Sequence, residues 1–168
     1  MKTKVLGKKS KKLNFTGKDL LDSIPRNRKK IEHGIDIWNV YDFMFKDKKE
    51  VPHLKVLEII IPSNSKFIVE SKSMKLYLNS FYDIAFTNQS EILKKIKRDL
   101  KSLIKDDVKL RFIDKFSVEP KNINLNQSNC ETIQRRKIIK FNGFRSICPV
   151  TSQPLSLIHI SEPTRRTI

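Results

Sequence analysis

The stretch ESKSMKLYLNSF, residues 70–81, follows the apolar run Phe67-Ile68-Val69 with no glycine or proline between them. Met74, Tyr77, Leu78 and Phe81 stand at i, i+3, i+4 and i+7, which predicts a strand end handing over directly to a helix. Ser71 or Ser73 is placed to cap that helix. A strand that delivers side chains and amides to a helix N-terminus also makes a place where an anion or a polar heterocycle is held. Glu70 is a double acceptor there, able to take two parallel N–H donors from a guanine-like edge, while Ser71 and Lys72 suit a phosphate. A capped helix with a polar first turn fits the same residues, and periodicity alone leaves both readings open.

Upstream, Ile35, Ile37, Val40, Phe43 and Phe45 fall in a broadly alternating stretch that predicts a strand over 35–46. Asp47, Lys48, Lys49 and Glu50 make a turn before Pro52, and a second strand is expected over 54–61. Downstream of the quoted stretch, Ser90 with Glu91 opens a second helix. Ile92, Leu93, Ile96, Leu100, Leu103 and Ile104 form its buried stripe, and Lys94, Lys95, Lys97, Arg98 and Lys101 face out. Val108, Leu110 and Phe112 alternate in a third strand, so the order is strand, strand, helix, helix, strand.

With 168 residues, the chain is long enough for one full domain and part of a second. Its 35 Lys and Arg against 18 Asp and Glu give a net charge of +17, which raises nucleic acid or an anionic membrane as a partner. The excess is uneven, because residues 1–34 carry 11 basic and 3 acidic side chains in a polar leader without the apolar core of a signal peptide. Abundant Lys, Ile and Asn together are also what a compositionally biased genome produces. No window reaches the roughly 18 apolar residues of a membrane span. Two cysteines, Cys130 and Cys148, lie too far apart for a disulfide framework, and a reducing cytoplasm is the expected compartment.

A second stretch, FNGFRSICPVTSQP at 141–154, places Cys148 after Arg145 and before a Pro-Val-Thr-Ser-Gln-Pro turn. A nearby cation there favours thiolate, whereas a small buried hydrophobe is the plainer role of a lone cysteine. Together with ESKSMKLYLNSF, with HGIDIWNVYDF at 33–43 and with IPRNR at 24–28, it resembles the two-module 7-cyano-7-deazaguanine reductases, the nitrile reductases of queuosine biosynthesis. The resemblance covers most of residues 24–154. It implies an α+β tunnelling fold in which each module is a four-stranded antiparallel sheet with two helices on one face. It also implies a cysteine that attacks the nitrile carbon, a thioimide reduced by NADPH, and an aspartate that supplies a proton. On the match Cys148 is the nucleophile; Ile68, Val69 and Glu70 line the deazapurine pocket; and Glu70, Ser71 and Lys72 contact NADPH. The implied partner is a small-molecule deazapurine, with no direct nucleic acid, no membrane and no metal, in a homo-oligomeric parent.

The resemblance places the proton-donating aspartate seven residues beyond the cysteine, at position 155, where this chain has Leu155. From there LSLIHISEPTR reads as a translation of transposase adapter DNA from sequencing-library preparation. The expected organisation is therefore a basic leader (1–34), a first tunnelling-fold module (35–118), a connector (119–131), the start of the catalytic module (132–154) and an adapter-derived tail (155–168). A chain so organised is expected to be catalytically inactive. His33 and His53 have no metal-ligand spacing, and a role for Cys130 in the Asn-rich connector is not expected. GTP cyclohydrolase I shares the implied fold, but its zinc chemistry needs a Cys and His set that this chain lacks. A basic nucleic-acid-binding module, supported by the leader and the Lys-rich helix, is the alternative from another class.

Overall fold

Strand β2 (Ile35–Asp47) and strand β3 (Pro52–Pro62) form a long antiparallel hairpin at the centre of a four-stranded sheet. The computed structural model describes residues 17–26 and 34–115, with short pieces at 121, 123–124, 139–140, 146–147, 152 and 154–155. Asp47 makes the turn, its Oδ1 accepting the amides of Lys49 at 2.8 Å and Val51 at 3.0 Å, while Glu50 takes the left-handed conformation with φ 59°. Strand β6 (Lys109–Ile113) runs antiparallel to the other edge of β3.

The alternation along β2 is broken by a bulge between Val40 and Phe43. Asp36, Trp38 and Val40 pair with Ile61, Ile59 and Leu57; past the bulge Phe43 and Phe45 pair with Lys55 and His53, so all five share one face. Ile35 and Ile37 therefore lie on the opposite face from Phe43 and Phe45. The single alternating stripe expected from sequence is thus two stripes of opposite parity, joined where the ladder skips.

Two helices cover the core face. Helix α1 (Ser71–Asn79) continues into a 3-10 turn (Ser80–Asp83), and helix α2 (Gln89–Ile104) follows the two-residue strand β5 (Ala85–Phe86). Tyr77 and Phe81, together with Ile92, Ile96, Leu100 and Ile104, are fully buried in one core with Leu57, Ile59 and Ile61. The α2 stripe is thus the expected one. Its cap is Asn88, whose Oδ1 accepts the Glu91 amide at 2.9 Å, and Glu91 Oε2 reaches back to the Thr87 amide at 3.1 Å. Ser90 lies inside the first turn.

The fold is α+β, with sheet order β5-β2-β3-β6 and both helices packed in the same core. One feature of the implied antiparallel sheet is corrected. Strand β5 pairs parallel to β2, through Lys46↔Ala85 and Asp47↔Phe86, because α1 and the 3-10 turn carry the chain across before it meets the sheet edge.

The packing reaches upstream of residue 35. Leu20 and Leu21 are buried in the core, and strand β1 (Ser23–Pro25) pairs antiparallel with strand β4 (Phe67–Val69) in a separate two-stranded ribbon. Further on, β7 (Ile123–Asn124) pairs parallel with β8 (Ile139–Lys140), and β9 (Ser146–Ile147) pairs antiparallel with β10 (Pro154–Leu155). The β9–β10 pair flanks Cys148 in sequence, with Leu155 opposite Ser146. Cys148 itself, His33, Cys130 and 156–168 lie outside the described residues.

Candidate functional site

At the end of β4 the chain turns from strand into helix at Glu70, whose φ of −72° and ψ of 129° are still extended. Its carboxylate folds over the first turn of α1. Oε1 accepts the Lys72 amide at 2.9 Å, and Oε2 accepts the Ser73 amide at 2.8 Å. Glu70 is therefore the cap, not Ser71 or Ser73. Its longer side chain reaches two of the four amides that a helix start leaves unpaired, and its charge complements the positive end of the helix dipole. Ser73 serves instead as a brace: its hydroxyl donates to the Glu70 carbonyl at 2.7 Å and accepts the Asp22 amide at 3.1 Å.

Glu70 is only 2% exposed, and its backbone is held as firmly as its side chain. Its amide donates to the Asp22 carbonyl at 2.9 Å, and its carbonyl also accepts the Met74 amide at 2.9 Å. The Ser71 hydroxyl lies 3.5 Å from Oε1 on an exposed first-turn residue. A carboxylate has about four acceptor positions, so two strong amide bonds orient Glu70 and still leave lone pairs for a ligand N–H. Of the two readings of the sequence, the geometry shows the capped helix, with Glu70 as the cap.

Ile68, Val69, Glu70, Ser71 and Lys72 are brought together here as one continuous strand-to-helix segment, with Val69 buried and Ile68 half-buried. For a dinucleotide cofactor, the residues present fit the chemistry. The exposed Ser71 hydroxyl and the Lys72 ammonium suit phosphate oxygens at the start of a helix, and Glu70 suits hydroxyl or amide donors. Cys148 lies outside the described residues. Asp22, which holds Glu70 and Ser73 through its backbone, and the Arg26–Asp36 pair were not singled out in the sequence, where Ser73 was read only as a cap. The Leu20-Leu21 pair inside a polar leader was the available signal for the first of them.

The basic face of α2 is partly neutralised. Lys97 and Lys101 each pair with Asp107 at 3.2 Å, which holds the Asp107 carboxyl below its usual range, and Arg98 pairs with Asp99 at 3.2 Å. A shallow groove of about 320 Å³ lies beside this face, lined by Ser90, Leu93, Lys94, Lys97, Lys109 and Leu110; it does not include Glu70. Among the described residues no three His, Cys, Asp or Glu side chains converge as metal ligands would, and no helix is long and apolar enough to cross a membrane.

Fold and junction define an α+β module in which a buried carboxylate is presented at a strand-to-helix turn. Residues 18–112 match the family model described as nitrile reductase, 7-cyano-7-deazaguanine-reductase N-term. The chain belongs to that family. It is 33% identical over 180 residues to a Rickettsia bellii protein named NADPH-dependent 7-cyano-7-deazaguanine reductase, covering 89% of this chain and 65% of the relative. A Coxiella burnetii protein of the same name is 30% identical over 170 residues, covering 80% of this chain and 59% of its own. The chain thus spans about three-fifths to two-thirds of the length of these relatives.

Proposed function

We propose that this chain carries the first module and the nucleophile of an NADPH-dependent nitrile reductase that converts 7-cyano-7-deazaguanine to 7-aminomethyl-7-deazaguanine for tRNA queuosine. The observation that carries the reading is the fixed, buried Glu70 carboxylate, in a chain of this family whose named relatives act on that nitrile. Glu70 accepts donors on the deazapurine edge, and Ile68 and Val69 supply the apolar wall beside it. Ser71 and Lys72, with Glu70, contact the cofactor.

A nitrile is a weak electrophile, so covalent activation precedes reduction. The Cys148 thiolate adds to the nitrile carbon, forming the C–S bond of a thioimide while the nitrile nitrogen takes a proton. Four electrons separate the nitrile from the aminomethyl product, so two NADPH molecules in succession would each supply one hydride, and between the two the C–S bond breaks to return the thiolate to Cys148. The compartment is the cytoplasm and the working form a homo-oligomer. With Leu155 where the proton-donating aspartate is expected, the chain as it stands is inactive.

The test joins residues 1–154 to the remaining C-terminal part of the Rickettsia bellii relative and follows NADPH oxidation. Oxidation that requires 7-cyano-7-deazaguanine and is lost in Cys148→Ala is the expected result. No nitrile-dependent oxidation, together with salt-sensitive RNA binding by the same protein, would instead favour the basic nucleic-acid-binding module.

A further inference from the structure

The upstream segment and the candidate site are joined by a chain of polar contacts to which the proposed chemistry assigns no role. Arg26 follows β1 directly. Its guanidinium Nη2 donates to Asp36 Oδ2 at the start of β2, and its Nε donates to Ser65 Oγ at 3.2 Å. Ser65 Oγ in turn donates to the Phe67 carbonyl at 3.0 Å, in the first residue of β4, and the Arg26 amide donates to the Lys66 carbonyl at 3.1 Å. Asp36 and Ser65 are 4% and 3% exposed, so this contact chain lies in a low-dielectric setting where each missing partner is felt. At the other end of the same strap, Asp22 holds Glu70 and Ser73 through its backbone.

We propose that Arg26 is a positioning residue for the ligand-reading segment. By locking the strap 22–26 onto β2 through Asp36 and onto β4 through Ser65, it fixes the register of Ile68 and Val69 and the aim of the Glu70 carboxylate. The ligand side of this role rests on the function proposed above. Strand β4 has only three residues, and among the described residues its only ladder partner is β1. A strand of that length holds its register weakly by itself. The buried Arg26–Asp36 pair supplies the missing constraint, since a planar guanidinium satisfied on two sides fixes orientation as well as distance.

The experiment compares the full chain with Arg26→Ala, Arg26→Lys and Ser65→Ala, reading amide hydrogen exchange by peptide and affinity for 7-cyano-7-deazaguanine by calorimetry. In Arg26→Ala, exchange over 67–73 is expected to rise about tenfold or more, with α2 unchanged, as local opening requires. Affinity is expected to fall in step. Ser65→Ala, which leaves Asp36 paired, shows the same pattern more weakly and covers the case in which Arg26→Ala fails to fold. Arg26→Lys recovers part of both readouts. An unchanged rate at 67–73, or a rise shared equally by α2, overturns the proposal, as does a local rise with unaltered affinity. If the unsubstituted chain binds no deazaguanine while the local exchange response persists, the functional reading has failed and the positioning role falls with it. The strap coupling itself would then stand on exchange alone.

Discussion

The Tyr77 hydroxyl donates a 2.9 Å hydrogen bond to Asp99 Oδ2, tying α1 to α2 inside the core. Both residues are buried, and burial, with the adjacent Asp99 charge and the hydrogen bond, pushes the Tyr77 phenol well above its usual range. Tyr77→Phe removes the donor and leaves Asp99 with the largely exposed Arg98 as its remaining partner. The expected cost is about 1–3 kcal/mol, read from the denaturant midpoint. The pH dependence has a definite sign. Because the folded state holds the phenolic proton more tightly than the unfolded state, this contribution is intact below the unfolded pKa of about 10 and declines as pH rises beyond it. Tyr77→Phe should flatten that alkaline decline.

In the proposed function Glu70 reads the ligand as well as capping α1, so its substitutions should separate the two roles. Glu70→Ala removes the acceptor for two first-turn amides and should cost about 1–2 kcal/mol. Glu70→Gln keeps one acceptor oxygen and should recover part of that stability, yet it presents an amide donor where the proposed ligand presents donors of its own. Deazaguanine affinity should therefore fall in both variants while stability falls mainly in Glu70→Ala. Equal affinity in Glu70→Gln and the parent chain would leave capping as the only role.

Much of this was legible in the residues, and the failures have physical causes. The α2 stripe at Ile92, Ile96, Leu100 and Ile104 could be read because one helix face was apolar throughout. The parity switch in β2 could not, since a bulge depends on what the neighbouring strand opposes. Glutamate is an uncommon N-cap, so the serines beside it drew the assignment; only its long reach over two amides shows the reason. Strand β1 was hidden because its partner, β4, lies more than forty residues away and its own stretch sits in a charged leader. Cys148, by contrast, was assigned as nucleophile by resemblance, because its local setting after Arg145 fits a small buried hydrophobe as well.

Asp47 offers a second pH test at the hairpin turn. Its hydrogen bond with His53 Nε2 at 3.1 Å, then the bond from the Val51 amide, holds its carboxyl below the usual range. A depressed carboxylate adds stability above the unfolded pKa of about 3.9 and loses it as pH falls through the folded value. Carboxyl-carbon NMR should place the Asp47 midpoint below that reference. His53→Ala should move it upward, because the backbone donors remain and the imidazole does not. Asp107, held low by Lys97 and Lys101, should not respond to that change.

The last prediction concerns Leu155. In the proposed reaction the nitrile nitrogen gains a proton when the Cys148 thiolate adds, and a leucine side chain at the expected donor position has none to give. General acid catalysis by a positioned side chain contributes roughly 10²–10⁴-fold, and groups that act as a unit lose more than their separate shares. The chain supplied with NADPH and 7-cyano-7-deazaguanine should therefore oxidise no cofactor above background. In the version of residues 1–154 extended by the Rickettsia bellii C-terminal part, full turnover should require aspartate as the residue after Pro154. The same extension with leucine there should show a loss of at least about a hundredfold in kcat with a smaller change in KM, since the missing group acts on the reacting atoms and not on ligand capture. Equal rates with aspartate and leucine would assign proton delivery to another group and refute the role given to this position.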